Sequence, residues 1–561
     1  MQLSEQELVR REKLAQLRAL NINPYPAALF PLDHTSKQIK SNFEEGKKVI
    51  IAGRLMSRRI QGKASFAELQ DADGRIQVYF NRDEICPSED KTLYNEVYKK
   101  LLDIGDFIGI EGELFKTQVG EKTVMVKSFS LLSKSIKPLP LPKTDMEGNK
   151  YDEFIDPEMR YRQRYADLVV NPHVKEVFIK RTKLFNAMRN FFNERGYFEV
   201  ETPILQPIPG GAAAKPFVTH HNALDIPLYM RIANELYLKR LIVGGFDGVY
   251  EFSKNFRNEG MDRTHNPEFT AMEIYVAYKD YNWMMAFTEQ LLEHCAIAVN
   301  GTTKATFTTH EIDFKAPYPK VTMTDAIKQF TGFDISGKNE DQLREAAKNM
   351  DVEVDETMGK GKIIDEIFGE KCEGNFIQPT FITDYPKEMS PLCKEHRENP
   401  ELTERFELMV CGKEIANAYT ELNDPIDQLQ RFEEQVRLSE KGDDEAMFID
   451  RDFVRALEYG MPPTSGLGIG MDRLIMFLTN NPSIQEVLFF PQMKPERKVA
   501  LLEDEKLVFD ILKPNKKMNL EDLKTQSDLS NKKWDKAIKG LTAKKMAKVE
   551  KTDDGLFVEL R

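Results

Sequence analysis

Two segments between residues 248 and 277 alternate apolar and polar side chains, which is the period of a β-strand rather than of a helix. In FTAMEIYVAY, Glu273 and Tyr275 alternate with apolar residues, and in GVYEFSKNFR, Glu251 and Arg257 fall on the polar parity. Successive side chains of a strand point to opposite faces, so each segment has one apolar face. The pattern predicts two neighbouring strands of a sheet whose other, polar face is open to water.

The connection between these segments, residues 258–268, is longer than a hairpin needs. Hairpin loops usually have about two to five residues, and longer loops tend to carry function. The loop and its borders contain three side chains that can bind a phosphate chain, Arg257, Arg263 and His265. An ordinary amphipathic hairpin that faces water remains the alternative on this pattern alone.

Composition limits the class of protein. The chain has 561 residues, too many for one ordinary core, so about two to four domains are expected. Its net charge of −12 does not indicate a nucleic-acid-binding protein as a whole, although a local basic patch can still bind RNA. The five cysteines include no C-x-x-C pair, so neither a zinc site nor a disulfide framework is indicated. With no run of 18 apolar residues, we expect a soluble cytoplasmic protein without a membrane partner.

Changes in the pattern of apolar, turn-forming and charged residues along the chain predict an α+β protein of several domains and connecting segments. Residues 49–135 form short alternating runs separated by ADG and VGE turns, which predicts a small β-barrel of the OB-fold type. Residues 513–551 hold 12 Lys against 5 Asp plus Glu, a local charge of +7. The tail is predicted to contain three helical segments, EKLVFDILK, NLEDLKTQ and NKKWDKAIKGLTAKKMAKV, followed by the alternating run GLFVEL. The predicted parts are an N-terminal helical segment (1–48), the OB-fold domain (49–135), a linker (136–163), a large α+β domain (164–495) and a basic winged-helix-like module (496–561).

Two further segments of the large domain have strong periodicity. Residues 177–196 place apolar side chains at helical spacing before a glycine stop, although a plain amphipathic core helix explains this equally well. GLGIGMDRLIMFLT has G-x-G-x-G spacing without a βαβ context, and no P-loop motif occurs, so both common nucleotide fingerprints are unsupported. Arg473 falls in the first turn of this apolar helix, where the helix dipole disfavours a cation. A polyphosphate ligand would explain it, and a surface arginine is the alternative.

Three blocks carry a family resemblance. VFIKRTKLFNAMRNFFNERGYFEVETPIL, FRNEG with THNPEFTAMEIY, and GLGIGMDRLIMFLT resemble, in this order, the three signature motifs of class II aminoacyl-tRNA synthetases. The resemblance implies a catalytic domain built on an antiparallel sheet and, through the first motif, a homodimer. A barrel ahead of that domain is similar to the subgroup for lysine, aspartate and asparagine. PGGAAAKPFVTHHNALDIPLYMRIANELYLKRL and FELMVCGKEIANAYTELNDPIDQ resemble the bacterial lysyl-tRNA synthetases, with likeness from about residue 10 to 496.

The resemblance implies that L-lysine and ATP react to lysyl-adenylate and pyrophosphate, and that lysine then passes to the 3′ end of tRNA(Lys). The lysine-binding residues that it implies are Gly211, Glu235, Arg257, Glu273, Tyr275, Asn417 and Glu421. Their charges suit lysine, which carries two ammonium groups and one carboxylate. An enzyme for aspartate would instead need a cation at the position of Glu421. Any single acid among them is alternatively a solvated charge. Tyr419 departs from the phenylalanine expected in the family, which leaves the contact of its hydroxyl unassigned.

Roles in ATP, metal and tRNA binding follow from the same resemblance. The implied ATP-binding residues are Arg257, Glu259, His265, Asn266, Phe269 and Arg473, with Arg257 and Arg473 catalytic and Phe269 stacked on adenine. Glu407 and Glu414 are the implied Mg²⁺ ligands, although they differ in strand parity across the Gly412 turn, so parity alone does not bring them together. Because the lysine carboxylate is the nucleophile, catalysis rests on positioning and charge neutralisation. In the barrel, Arg59, Phe66 and Gln77 are candidates for binding anticodon bases.

Two other classes of function stay open at this point. A lysine ligase that acts on a protein is one, although such relatives typically lack the barrel. An inactive RNA-binding relative is the other, although it would be expected to have lost Arg257, Arg473 or the acidic residues, all of which are present. The sequence does not decide the role of the basic module, the anticodon bases contacted or the number of Mg²⁺ ions.

Overall fold

The structure is a computed structural model that describes residues 3–144, 150–151, 153–212, 214–356, 358–440, 448–495, 501–544, 546–552 and 555–560. The chain forms two compact units, Met1–Pro491 and Gln492–Arg561. All five cysteines are free thiols. Within the described ranges, no helix has both the length and the apolar character needed to cross a membrane.

The first part of the larger unit is a closed five-stranded barrel, which confirms the predicted OB-fold. The elements up to its end are α1 (Glu5–Ala19), α2 (Ser36–Ser41), β1 (Lys48–Gln61), β2 (Ala64–Gln70), β3 (Arg75–Asn81), α3 (Arg82–Ile85), β4 (Phe107–Lys116) and β5 (Lys122–Ser133). The strand order is β1-β2-β3-β5-β4, with only β3 and β5 parallel. Alternate residues of β2 and β3 are buried, because one face of each strand fills the barrel.

A connecting segment then leads into the catalytic region. Its elements are β6 (Lys143–Thr144), β7 (Lys150–Tyr151), α4 (Pro157–Arg162), α5 (Arg164–Val170), α6 (Pro172–Asn193), β8 (Phe198–Glu199), β9 (Leu205–Gln206), β10 (Val218–His221), β11 (Ile226–Met230), α7 (Glu235–Val243), β12 (Gly248–Phe256) and β13 (Glu268–Ala277). The predicted helix over 177–196 is real but begins earlier, at Pro172, whose fixed φ suits the first helical position. Gly196, at φ 77°, follows its end.

The remaining elements of the larger unit complete a single large sheet and a helical insertion. They are α8 (Tyr281–Asn300), β14 (Lys304–Phe307), β15 (His310–Asp313), β16 (Lys320–Thr322), α9 (Met323–Thr331), α10 (Glu340–Asn349), α11 (Lys360–Lys371), β17 (Thr380–Thr383), β18 (Arg405–Val410), β19 (Lys413–Thr420), α12 (Pro425–Glu440), α13 (Arg451–Glu458), β20 (Thr464–Gly470), α14 (Met471–Leu478) and α15 (Ile484–Val487). Helices α9 to α11 enclose their own apolar cluster.

The large sheet has eight strands in the order β16-β17-β18-β19-β20-β13-β12-β8. Every pair is antiparallel except β16 with β17 and β12 with β8. Strands β12 and β13 pair from Gly248 with Val276 to Phe256 with Glu268, so the two predicted neighbouring strands are confirmed. Their apolar face, with Met272 and Ile274, packs on α6, α8 and α14 in the main core.

The smaller unit has the element order of a winged helix. It comprises α16 (Glu503–Asn515), β21 (Lys517–Asn519), α17 (Leu520–Ser527), α18 (Asn531–Ala543), β22 (Ala547–Thr552) and β23 (Gly555–Leu560). The three strands form one antiparallel sheet in the order β21-β23-β22. The sequence pattern carried the last predicted helix through AKV to residue 549, but α18 ends at Ala543 and residues 547–549 lie in β22.

Candidate active site

The polar face of the large sheet forms a pocket over strand β20. Tyr275 of β13 and Tyr419 of β19 both lie opposite Gly466, and Glu273 and Asn417 both lie opposite Gly468. A Cβ atom at Gly466 would stand 2.2 Å from Glu421 Oε1 and 2.5 Å from Tyr275 Cε1. Gly466 therefore makes room for these neighbouring side chains, whereas a Cβ at Gly468 or Gly470 would make only ordinary contacts, at 3.8 Å or more.

This polar face is closed, which corrects the prediction of a face open to water. Glu273 is 8% exposed, Tyr275 4% and Glu421 1%. Glu251, on the neighbouring strand β12, is also buried and accepts hydrogen bonds from Thr202, Arg231 and Asn234. Alternation reveals which residues share a face but not whether another part of the chain covers it. Here the cover is supplied by α7 and the segments around it.

Lys239, which the sequence did not single out, lies inside the pocket. It is fully buried on α7, and its Nζ is 2.5 Å from Glu235 Oε1 and also pairs with Glu421 Oε2. Burial lowers the pKa of Lys239, but the carboxylates of Glu235 and Glu421 outweigh this and leave the pKa above its ordinary value. The only signal in the sequence is the Glu235–Lys239 spacing of four, which usually marks an exposed helix pair.

Two buried carboxyls of this pocket, Glu273 and Glu421, have raised pKa values. Burial, followed by repulsion from Glu235, raises the pKa of Glu273 to about 8. Burial also raises the pKa of Glu421 well above its ordinary value, although Lys239 opposes this. Glu421 Oε2 pairs with Lys239, whereas Oε1 is buried without a hydrogen-bond partner among the described residues. Glu421 Oε1 is therefore an acceptor that suits a second cation or donor.

The hydroxyl of Tyr419 now has a partner. It donates to Glu235 Oε1 at 2.5 Å, so the carboxylate of Glu235 is fixed by both Lys239 and this hydroxyl. Gly211 adopts φ 87°, and a Cβ there would stand 3.2 Å from Glu235 Cβ. Gly211 and Glu235, two of the predicted lysine-binding residues, are thus neighbours. Tyr275 completes this part of the pocket by donating to Glu273 Oε2 at 3.0 Å.

A second cluster of predicted residues lies at the end of β12 and the start of β13. The Arg257 guanidinium lies 5.1 Å from the centre of the Phe269 ring, and its Nε is buried without a hydrogen-bond partner among the described residues. His265 Nδ1 is 2.8 Å from Asp262 Oδ2, and its Nε2 is 3.2 Å from Arg473 Nη2. The long loop and the motif-three helix therefore meet here, as binding of one phosphate chain requires.

The remaining predicted ATP residues are less closely joined to this cluster. The Asn266 side chain donates to the Glu268 carbonyl at 2.6 Å, which ties it to the base of the loop. The Glu259 side chain is exposed and makes no hydrogen bond or ion pair to a described residue. Arg473 donates to the Glu414 carbonyl at 2.8 Å, and its Nη1 lies 3.7 Å from the Glu414 carboxylate. Arg473 thus connects the ATP cluster to the predicted metal ligands.

A β-bulge removes the parity conflict between Glu407 and Glu414. Leu408 pairs with Ala416, but the next residue, Met409, pairs with Glu414, so Ile415 is an extra residue in β19. An extra residue shifts the side-chain alternation by one, which returns Glu414 to the face that carries Glu407. The two carboxylates interact, because burial and then repulsion from Glu414 raise the pKa of Glu407 to about 8. Alternation without the bulge could not have placed them together.

These two carboxylates fit a magnesium ion that also binds substrate phosphates. Mg²⁺ prefers oxygen ligands and is usually held by one or two carboxylates together with phosphates. Among the described residues, no group of three or more His, Cys, Asp or Glu side chains is arranged to hold a metal by itself. Glu407 also pairs with Arg405 at 2.5 Å, so its carboxylate already has one cationic neighbour. The donor set suits a metal carried in with ATP.

The three predicted anticodon residues share one outer face of the barrel. Arg59 pairs across strands with Phe66, which pairs in turn with Tyr79, and Gln77 lies one row away opposite Glu68. The rings of Phe66 and Tyr79 are 4.9 Å apart, and that of Phe115 is 5.9 Å from Tyr79. The sequence did not single out Tyr79 or Phe115. They extend Phe66 into a row of three rings, the kind of surface on which nucleic-acid bases stack.

Comparison with known proteins identifies relatives over the whole chain. The family described as class II tRNA synthetases (D, K and N) matches residues 156–494, and an OB-fold nucleic acid binding domain matches residues 49–132. A lysine–tRNA ligase of Christiangramia forsetii is 80% identical over 560 residues, covering 100% of this chain and 98% of the relative. One of Porphyromonas gingivalis is 70% identical over 89% of this chain and 87% of the relative. One of Azobacteroides pseudotrichonymphae is 64% identical over 88% of this chain and 99% of the relative.

Proposed function

The chain belongs to the lysine–tRNA ligases, a family of class II aminoacyl-tRNA synthetases, and on this premise we propose how its side chains divide the reaction. The reaction activates lysine with ATP, releases pyrophosphate and transfers lysine to the 3′ end of tRNA(Lys). The lysine carboxylate attacks the α-phosphorus, so the protein supplies positions and charges rather than a nucleophile.

The lysine side chain is recognised in the closed pocket of the large sheet. The observation that carries this assignment is the pair of buried carboxyls, Glu421 at 1% and Glu273 at 8% exposure, for which Lys239 beside Glu421 is the only side-chain cation within ion-pair distance among the described residues. The substrate ε-ammonium meets Glu421 and Glu273, with Tyr275 on the wall. Its arrival lowers the cost of ionising both carboxyls, because a nearby cation offsets burial. A neutral side chain of similar length would leave these carboxyls without that cation and is rejected.

The backbone end of the substrate lies between Glu235 and Arg257. Glu235, fixed by Lys239 and Tyr419, meets the α-ammonium beside Gly211. Asn417 and Arg257 bind the carboxylate, and the unpartnered Nε of Arg257 is a donor available for it. Arg257 also neutralises charge at the α-phosphate as the carboxylate attacks. Arg257 is thus the cation proposed for the carboxylate end, whereas at the other end Lys239 offsets part of the charge of Glu235 and Glu421.

ATP binds over the loop cluster. Phe269 stacks on adenine, while Glu259, His265 and Asn266 hold the nucleotide and Arg473 meets the γ-phosphate. Arg473 and His265 are already 3.2 Å apart, which supports a shared phosphate ligand. Glu407 and Glu414 hold Mg²⁺, which, when bound with ATP, neutralises charge on the phosphates. Arg405 keeps the Glu407 carboxylate in place by pairing with it.

Transfer RNA and a second subunit complete the functional protein. Arg59, Phe66 and Gln77 bind anticodon bases on the outer face of the barrel, where the row of rings supports stacking. The chain assembles as a homodimer through the region of α6 and β8 to β11. Apolar side chains there are largely exposed, Phe198 by 57%, Val218 by 63% and Leu224 by 64%, and exposed apolar patches mark protein interfaces. The five free cysteines are consistent with a cytoplasmic location.

The experiment that tests this assignment is amino-acid-dependent exchange of pyrophosphate into ATP, run with each of the twenty amino acids. We expect exchange with lysine alone at low substrate concentration, and dependence on added Mg²⁺. A wild-type enzyme that activates aspartate or asparagine in preference to lysine would overturn the pocket assignment. Transfer of lysine to tRNA(Lys), followed in a separate assay, distinguishes a tRNA ligase from a lysine ligase that acts on proteins.

A further inference from the structure

The last helix of the smaller unit, α18, has one face in the core and one face in solvent. Trp534, Ala537 and Leu541 are buried in the cluster that also contains Leu512 and Val558. At about 100° per residue, a helix places residues 532, 536 and 539 within one narrow arc opposite Trp534 and Leu541. All three of these residues are lysines, and all are exposed. We call Lys532, Lys536 and Lys539 the lysine stripe.

The lysine stripe makes no ion pair within the described residues. None of its three ammonium groups lies within 4.0 Å of a carboxylate among the described residues, while other lysines of the same unit are paired. Lys548, for example, pairs with Glu550 and Glu559, and Lys517 lies near the same two carboxylates. Lysines at spacings of three and four repel one another on a helix. The stripe is therefore a concentrated positive charge that folding does not require.

The unit also lies outside the match to the class II synthetase family, although the 80% identical lysine–tRNA ligase of Christiangramia forsetii spans it. The synthetase family match ends at residue 494, before α16 begins at Glu503. Residues 513–551 carry 12 Lys against 5 Asp plus Glu, within a chain whose net charge is −12. A local basic patch on an acidic enzyme is suited to an anionic ligand that the enzyme must already bind.

We propose that the lysine stripe of α18 docks on the phosphate backbone of tRNA and adds affinity to the binding that the catalytic unit and barrel provide. The proposal rests on the function given above, since it makes the enzyme's own polyanionic substrate the occupant. The stripe from residue 532 to 539 rises about 10 Å along the helix axis, a length over which a nucleic-acid duplex presents several phosphates. Covalent attachment to an enzyme that binds the same RNA raises the effective concentration of the unit. We expect the lysine stripe to bind tRNA without base specificity, because exposed lysines contact phosphates rather than base edges.

The test measures the salt dependence of tRNA(Lys) affinity for full-length enzyme. A stripe variant carries Lys532→Gln, Lys536→Gln and Lys539→Gln, and a matched control carries Lys506→Gln, Lys513→Gln and Lys524→Gln, which removes the same charge from α16 and α17. Each phosphate contact contributes about 0.7 to 0.9 to the slope of log affinity against log salt. We therefore expect the stripe variant to lose about 2 to 3 from that slope, with its affinity reduced most at low salt.

The control variant should keep a slope within about 1 of the wild type, and a charge-preserving variant with arginine at the three stripe positions should retain the wild-type slope. A stripe variant with the wild-type affinity and slope would overturn the proposal and would leave an acidic protein as the occupant to seek. An equal loss in both glutamine variants would also overturn it, because net charge alone would then explain the effect. Lysine-dependent pyrophosphate exchange tests the proposed function separately and should be the same in all variants.

Discussion

The lysine pocket and the lysine stripe both depend on charged side chains, but in opposite environments. In the pocket, Lys239 is fully buried between Glu235 and Glu421, at 2.5 Å from the first of them. On α18, Lys532, Lys536 and Lys539 are exposed and unpaired among the described residues. A buried charge that loses its partner costs about 3 to 5 kcal/mol, whereas exposed charges act over a screening length of about 8 to 10 Å in ordinary salt. The pocket can therefore specify one substrate atom, while the stripe can only attract a charged surface.

Glu421→Gln should produce the largest effect, because it removes charge from the closed pocket while keeping its shape. The substrate ammonium and Lys239 would then share fewer carboxylates, and the loss of about 3 to 5 kcal/mol corresponds to roughly two to four decades in kcat/KM for lysine. The measurement is lysine-dependent pyrophosphate exchange at fixed ATP. A change of less than threefold would show that Glu421 is not the partner of the substrate ammonium.

Arg473→Ala should come second, since it removes one charge contact to the γ-phosphate from a site that is only partly enclosed. Loss of one such contact costs about 3 to 4 kcal/mol in the transition state. Adenylate formation should fall accordingly, while affinity for tRNA(Lys) stays close to that of the wild type. Pyrophosphate exchange at saturating ATP measures the first and filter binding the second. Normal exchange in this variant would remove Arg473 from the phosphate site.

Lys239→Met should change the pH dependence of lysine activation. Lys239 opposes the rise in the pKa of Glu421, so without this cation the pKa rises further and more of the carboxyl is protonated at neutral pH. Loss of a neighbouring cation shifts a carboxyl by about one to three pH units. The kcat/KM for lysine should therefore fall at low pH and recover as pH rises, with its inflection displaced upward. A profile parallel to that of wild type would mean that Lys239 acts only on stability.

The smallest effect is expected at an exposed ion pair of the larger unit, whose nitrogen–oxygen distance is close to that between Lys239 and Glu235. Lys304 and Glu311 are 2.6 Å apart across the β14–β15 hairpin, with side chains 52% and 66% exposed. Water screens this pair, so Lys304→Met should leave Tm and lysine activation unchanged within error, and added salt should make no difference. Thermal unfolding of this variant beside Lys239→Met compares the two environments directly. A similar fall in Tm for both would contradict the role given to burial.

The periodicity of the sequence predicted the strands and helices better than it predicted how they pack against one another. Alternation at 248–256 and 268–277 predicted two strands that the structure confirms as β12 and β13. The barrel and the three tail helices were also anticipated from turns and repeats, because these signals are local. The end of α18 was misplaced, since AKKMAKV has good helix formers and only the pairing of β22 with β23 makes Ala547 a strand residue. Pairing with a distant segment is not written in local propensity.

The sequence by itself determined which residue types were present for lysine and ATP, because charge sign and motif order are properties of the chain. From the family resemblance it predicted that Arg257 and Arg473 act in one reaction and that Glu421 is the residue opposed to an aspartate substrate. The tertiary structure decided the rest. In the folded chain, Lys239 is buried against Glu421. The Tyr419 hydroxyl donates a hydrogen bond to Glu235. The bulge at Ile415 returns Glu414 to the strand face that carries Glu407. Each of these contacts joins segments that are far apart in the chain. Burial strengthens the interaction between two charges, and it exists only after these segments have packed together.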